Sequence, residues 1–348
     1  MTKAISIQSA AVGRVSIIIK ALNEEKRIAR AIESSLRALE RVGGEVILAD
    51  SCSTDQTINI AKRYPITIVQ LANSAERCCG IGPQLGYQHS SAEYVYILDG
   101  DMELRPHFID QAVQFLDAHP AAAGVGGQVI EHNLDSLEYK ARVERNAHHM
   151  NAGQVDRLDM GGLYRRSAIE QIGYFSDRNL HSYEELDLAV RLRARGWRLH
   201  RINFPAVDHH GHDAAPYRLL YRRWETKYIY GIGEIVRAGI GKPHFSLLIK
   251  QLHEFKLYFL SIIWVIAFLI ISIFCGFFLK NGLAVGGGVF IFCLLFVLMT
   301  FLIRKKTFDK AIYAFVSLFM HCAALIAGIF VGRQDPGKKI DSNVMSNY

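Results

Sequence analysis

Short β-branched apolar runs alternate with longer stretches of helical spacing over the first hundred residues. Val15 to Ile19 predicts a buried strand, and Asn23 to Leu39 carries apolar positions at helical intervals among many charges. Glu45 to Ala49 predicts a second strand ending at Asp50. Asp55 to Arg63 predicts a helix with Ser53 or Thr54 as its N-cap. Ile66 to Gln70 is a third strand, Gly82 to Ser90 a third helix, and Tyr94 to Leu98 a fourth strand ending at Asp99. This order predicts an α/β domain whose mostly parallel sheet is covered by helices on both faces. Such sheets bind ligands beyond the carboxyl ends of their strands. Asn23, Glu24, Asp50, Asp55, Asp99 and Asp101 all fall at or just past those ends.

The pattern changes in the second part of the chain. Leu257–Leu279, Leu283–Ile303 and Ala311–Gly332 hold no Asp, Glu, Lys or Arg, and His321 is the third run's only group that titrates near neutral pH. The first run has 23 residues, about 34 Å of helix, enough for a hydrocarbon core near 30 Å. Three such runs predict transmembrane helices rather than a soluble hairpin. Lys280 alone separates the first two, whereas Arg304, Lys305, Lys306 and Lys310 follow the second. That bias puts the second loop and the front domain in the cytoplasm. A third full crossing then places Arg333, Lys338 and Lys339 outside, against the same rule. Either the third run is re-entrant or the rule is weak here. Between the two parts, Tyr217, Tyr221, Trp224, Tyr228 and Tyr230 interleave with Arg218, Arg222, Arg223 and Lys227, a composition suited to a helix at the membrane surface. The expected organisation is an α/β domain over 14–216, an interfacial linker over 217–256, membrane helices over 257–332 and a polar tail over 333–348.

Composition adds limits. The 348 residues are 50% hydrophobic and 21% charged, with a net charge of +7, which excludes a disordered or collagen-like chain. Met1 to Gly13 lacks a long apolar run, so a secretory signal is not expected. The six cysteines include no C-x-x-C pair and are expected to be reduced. Basic residues beside membrane spans favour lipid over nucleic acid as the partner.

Three clusters carry candidate chemistry. Asp99-Gly100-Asp101 follows a strand directly, where two carboxylates can hold a hard divalent cation; an ordinary Asp-Gly turn is the alternative. Glu184, Glu185 and Asp187 crowd the start of a helix running to Arg195, either as simple dipole-compensating charge or as the source of a general base. Asp208-His209-His210-Gly211-His212 offers an imidazole to the same cation, or is a solvated loop; nothing completes a zinc site. Gly80, Gly82 and Gly86 miss the dinucleotide fingerprint by one residue and follow the wrong strand.

Taken in order, VSIIIKALNEE, ADSCSTDQT, YVYILDGDMEL, GGLYRRSAIEQIGYF and YEELDLAVRLRARGW resemble the family 2 glycosyltransferases of GT-A fold, from about Arg14 to Gly211. The resemblance implies an inverting, membrane-anchored transferase using a nucleotide sugar, a UDP-sugar before a GDP-sugar. It implies that Ala21, Asn23, Glu24 and Asp50 line the nucleoside pocket, with Arg77 on the nucleotide. Asp99 and Gly100 would meet the ribose or diphosphate, and Asp101, Asp99 and His209 would hold Mg²⁺ or Mn²⁺. Glu185 takes the position of the general base, with Glu184 and Asp187 as alternatives. Lys20 stands where the family usually has proline, Glu185 where it has aspartate, and Pro83-Gln84 where Arg-Asn is common. The implied role is transfer to a lipid-linked acceptor in bacterial polysaccharide or glycolipid assembly at the inner membrane. The rivals are transfer to polyprenyl phosphate itself, as in dolichol-phosphate-mannose-synthase-like enzymes, and a non-catalytic binding module.

Overall fold

The centre of the sheet is built by the predicted β-branched runs. The computed structural model describes residues 13–132, 148–210, 215–278, 281–305 and 307–346. Residues 1–12, Gly211 and His212 of the histidine run, Leu279, Lys280 and Lys306 lie outside them. Strand β1 (Val15–Ala21) pairs in parallel with β2 (Gly44–Asp50) on one side and β4 (Tyr94–Asp99) on the other. β3 (Thr67–Leu71) adds in parallel to β2. Helices α1 (Ile28–Leu39), α2 (Thr57–Ala61) and α3 (Ile81–Gln88) make the crossovers. On α3, Gly86 replaces any dinucleotide role with packing: a Cβ there would stand 2.1 Å from Ile18 Cγ2, so only glycine lets the helix approach β1.

Beyond β4 the sheet is mixed: β4 meets its next neighbour antiparallel, and one later pair is parallel. β5 (Met102–Leu104), α4 (Phe108–Ala118), β6 (Ala122–Glu131), β7 (Gly153–Val155), β8 (Gly162–Arg165), α5 (Arg166–Glu170), α6 (Glu184–Ala194) and β9 (Arg198–His209) follow. The order is β10-β3-β2-β1-β4-β8-β6-β9-β5, with β7 on β9. β10 (Ser342–Ser346) closes the far edge antiparallel to β3. Two buried clusters, one on each face, contain Ile17, Ile19, Leu48 and Phe108, and Ile18, Ile47, Leu85 and Ile340.

Two local predictions shift. Asn23 to Arg27 form turns rather than helix, and α1 starts at Ile28. Neither Ser53 nor Thr54 caps α2. Gln56 takes that position without a side-chain bond; Asp55, one residue earlier, accepts from Thr57 N at 2.9 Å and Thr57 Oγ1 at 2.6 Å through its Oδ1, while Ser53 and Thr54 bond the β1 loop.

The chain divides into two compact units. The first joins Met1–Leu180 and Glu184–Asp213 to the tail Gln334–Tyr348; the second holds His181–Tyr183 and Ala214–Arg333. The polar tail is thus part of the sheet unit. Arg178 Nη1 donates to the carbonyls of Lys338 and Lys339, Gln88 bonds Ile340 N and O through its amide, and Ile340 is fully buried.

In the second unit the linker is three helices: α7 (Pro216–Glu225), α8 (Gly231–Gly239) and α9 (Phe245–Gln251). Lys227, at φ 58°, breaks the chain after α7. α10 (His253–Phe278), α11 (Gly282–Lys305) and α12 (Phe308–Phe330) are each long and apolar enough to cross a membrane.

Ile340→Ala should cost about 2–5 kcal/mol, the usual range for truncating a fully buried isoleucine. Denaturant unfolding of the detergent-solubilised chain measures it. Unchanged stability would detach the tail from the core.

Candidate active site

Strand register does the first positioning. β1 aligns Lys20 beside Asp99 and Ala21 beside Asp50, so residues distant in sequence meet at one sheet edge. The loops after β1 and β2 are then tied together. Asn23 N donates to Ser53 Oγ and Thr54 N to Asn23 Oδ1, both at 2.8 Å, and Glu24 N donates to Thr57 Oγ1 at 2.8 Å. Asn23 and Cys52 adopt φ near 60°, a left-handed conformation that these cross-bonds hold in place.

Asp50 is fully buried. Its Oδ2 accepts from Ser53 N and Gln70 Nε2, both at 2.9 Å, while Oδ1 is buried with no hydrogen-bond partner among the described residues. Arg77 Nη2 donates to the Cys52 carbonyl, and its Nε is likewise buried and unpartnered. Unmet buried polar atoms are costly; Asp50 ends β2, and Arg77 reaches the Cys52 carbonyl just beyond it.

Lys20 is the hub of the adjoining cleft. Its Nζ lies 2.9 Å from Asp99 Oδ1, 3.4 Å from Glu184 Oε1 and 4.0 Å from Glu185 Oε1. These four residues, with Tyr164 and Ser176, line one cleft. Gln84, at a position where the family pattern differs, holds one wall: its Oε1 accepts from Phe175 N and Ser176 N. Burial lowers the Lys20 ammonium's affinity for its proton, but the charges of Glu184 and Glu185 outweigh it and hold the pKa above the usual lysine value. Burial and the Glu184 charge push Glu185 up to about 8, with Lys20 opposing.

Asp101 lies on the other side of Gly100, whose N–H donates to Lys20 O at 3.0 Å. His209, at the end of β9, is brought there by pairing with both Met102 and Glu131. Its Nε2 is 3.6 Å from Asp101 Oδ2, and its Nδ1 is 2.6 Å from Glu131 Oε2. Burial pulls the imidazole's pKa down, and the Asp101 and Glu131 carboxylates outweigh it. A carboxylate on one ring nitrogen orients the other toward an ion, so Asp101 and His209 fit as two ligands of one small cation. Asp99 Oδ1 is engaged by Lys20. Among the described residues no group of three or more His, Cys, Asp or Glu is spaced to hold a metal alone. An ion held by this pair would need ligand oxygens and water to complete its shell, as is common for Mg²⁺.

The structure thus gathers Asp99, Glu184 and Glu185 in one cleft, Asp101 and His209 beside it, and Asn23, Glu24, Asp50 and Arg77 at the neighbouring loops. Asp187 stands apart. It is buried in an ion pair with Arg191 at 2.7 Å and does not line the cleft. Lys20, Glu131 and Ser176 are additions to the expected set. Only Lys20 left a signal, as a lone cation inside an apolar strand.

A doubly wound sheet whose acidic residues converge beyond β1, β2 and β4 defines a GT-A domain. Residues 16–173 match the model of glycosyl transferase family 2. Succinoglycan biosynthesis protein ExoO of Rhizobium meliloti (strain 1021) is 31% identical over 129 residues, 37% of this chain and 35% of that protein. EpsE of Bacillus subtilis (strain 168) is 28% identical over 195 residues, 53% of this chain and 68% of that protein. The chain therefore spans about a third of the length of ExoO. The mannosyltransferase PcManGT from Pyrobaculum calidifontis, solved in complex with GDP-Man and Mn²⁺, shares the fold. Its TM-score is 0.54 at 17% identity, covering 90% of this chain and 87% of that one.

Glu185 binds its proton more tightly folded (about 8) than unfolded (about 4.5), so it drains stability as pH rises between those values. The stability of Glu185→Gln relative to wild type should therefore increase from pH 4.5 to 8 and level off above. A flat difference, read from denaturation midpoints across that range, would place the Glu185 pKa near normal.

Proposed function

We propose that this chain is an inverting glycosyltransferase that moves a sugar from a nucleotide-sugar donor to a lipid-linked acceptor in bacterial polysaccharide or glycolipid biosynthesis. What supports the reading is the convergence of Glu185, the Asp101–His209 pair and the buried, unpartnered Asp50 Oδ1 and Arg77 Nε at one sheet edge. Asp50 Oδ1 and Arg77 Nε, buried without partners, suit the polar edge of a base and a phosphate or ribose oxygen. Asn23 and Glu24 lie beside them on the bonded loops.

Asp101 and His209 would hold the divalent cation, with Asp99 available to the ribose or diphosphate. Bound there, Mg²⁺ or Mn²⁺ would neutralise the diphosphate in the donor and as it leaves. That PcManGT is solved with GDP-Man and Mn²⁺ supports both the donor class and the metal class.

Glu185 lines the cleft at the N-terminus of α6 and is the general base. It takes the proton of an acceptor hydroxyl as that oxygen bonds to the anomeric carbon, and the bond to the nucleoside diphosphate breaks on the opposite face. Inversion follows from that single displacement. Lys20 is placed to keep Asp99, Glu184 and Glu185 together despite their like charge. The names of relatives such as ExoO favour polysaccharide assembly. The three long apolar helices favour work at a membrane, with the sheet domain at its cytoplasmic face.

The test is incubation of the purified chain with UDP- and GDP-sugars, Mg²⁺ or Mn²⁺ and native lipid extract, followed by mass spectrometry of the lipids. Glu185→Gln should slow transfer on the order of 10²–10⁴-fold, and Asp101→Ala should abolish metal-dependent turnover. Near wild-type rates in Glu185→Gln would point to a phosphate acceptor, which needs little base catalysis. Absence of metal-dependent binding or turnover with every donor would leave only a binding module.

A further inference from the structure

We propose that the chain crosses the bilayer twice and not three times: α10 and α11 form a hairpin that enters and returns, and α12 lies along the membrane surface with α7 and α8. The inference concerns the chain's path through lipid and stands whatever reaction the cleft performs.

The first observation is the tail. β10 is a strand of the catalytic sheet, Ile340 is fully buried in its core, and Arg178 and Gln88 bond the backbone on either side of Lys339. The sheet precedes α10 in sequence and the tail follows α12. A segment that completes the sheet lies on the sheet's side of the bilayer. The number of crossings between them is therefore even, and three apolar helices cannot all be spans.

Packing within the second unit identifies which one stays out. α12 follows the surface helices along its length. Near its start, Tyr313 meets Tyr217 of α7 with ring centroids 5.2 Å apart. Near its end, a Cβ on Gly328 would stand 2.2 Å from Tyr230 O, and one on Gly233 of α8 would stand 2.2 Å from Leu325 O. Glycine on both helices permits this approach. Arg237 of α8 donates to the carbonyls of Ile329 and Val331, which lack helical partners at the end of α12. Six α12 residues are buried, Gly328 among them, whereas α10 buries none. α10 meets α12 through Tyr258, in its second turn, whose ring stacks on His321 at 5.3 Å. Farther along, α10 pairs with α11 instead: Ser272 Oγ donates to Gly286 O at 2.9 Å, and Gly286 has no room for a Cβ. Small residues and a hydroxyl at a helix crossing suit lipid surroundings. At 26 and 24 residues, α10 and α11 run about 39 and 36 Å, long enough to cross with some tilt.

The charges then fall into order. In the sequence Lys280 is the only basic residue between α10 and α11. Arg304, Lys305, Lys310, Arg333, Lys338 and Lys339 then all fall on the side of the sheet, as the positive-inside rule requires. The conflict met under three crossings disappears.

The test places single cysteines in the full chain in sealed native membrane vesicles of each orientation. Lys62→Cys marks the sheet, Asn281→Cys the hairpin tip, Thr307→Cys the α11–α12 turn and Asp335→Cys the tail. A membrane-impermeant maleimide is applied before and after permeabilisation, and labelled peptides are read by mass spectrometry, which separates the native cysteines. Expected is labelling of positions 62, 307 and 335 from one face and of 281 only from the other. Position 335 opposite position 62 would establish three crossings and overturn the proposal. Position 281 on the same side as 62 would show that no hairpin crosses, and position 307 opposite 62 would make α12 a span; either overturns it. Gly337→Cys repeats the tail measurement should Asp335→Cys perturb the turn.

Discussion

One lysine at the end of the first strand holds the acidic cleft together. Lys20 sits within 4.0 Å of Asp99, Glu184 and Glu185, side chains contributed by β4 and α6. Two like charges 4 Å apart repel by about 4 kcal/mol at an effective dielectric near 20. Three carboxylates in one partly buried cleft would otherwise protonate or part. The lysine lets Asp99 stay beside Glu184 while Glu185 settles at an intermediate proton affinity. A proline at this position, the usual family residue, has neither a charge nor a side chain able to do this. The protein thus supplies from its own sheet a fixed cation next to the place proposed for a mobile one.

That arrangement depends on backbone register more than on side-chain choice. The parallel pairing of β1 with β4 places Lys20 against Asp99 at no further cost, and pairing with β2 places Ala21 against Asp50. A one-residue slip would turn Lys20 toward the opposite face of the sheet. The buried Ile17, Ile18 and Ile19 fix the register because their alternation fills both faces of the sheet. The apolar core therefore sets the electrostatics of the cleft, and the two cannot be altered independently.

How much of this was readable in the sequence follows from the range of each interaction. Strand runs ending on Asp50 and Asp99 declare themselves through local periodicity, and so does the acidic start of α6. Glu131 does not. It reaches His209 only because β6 and β9 pair in parallel across 78 positions, and no local pattern announces that pairing. Asp187 shows the opposite error. Its spacing from Glu184 and Glu185 suggests a shared task, yet at helical pitch it turns toward Arg191 and the carbonyl anchors of that arginine at Tyr174 and Phe175. The tail was invisible for a third reason: Ser342 to Ser346 is polar and short, and becomes a strand only because β3 offers an open edge.

That last pairing has a mechanical consequence. An unpaired edge on β3 would be a template for association with other chains. Capping it with residues that follow the three long apolar helices closes the chain into a loop anchored at both ends in one sheet. Arg178 strengthens the closure, because its guanidinium joins Glu76 to the Lys338 and Lys339 carbonyls.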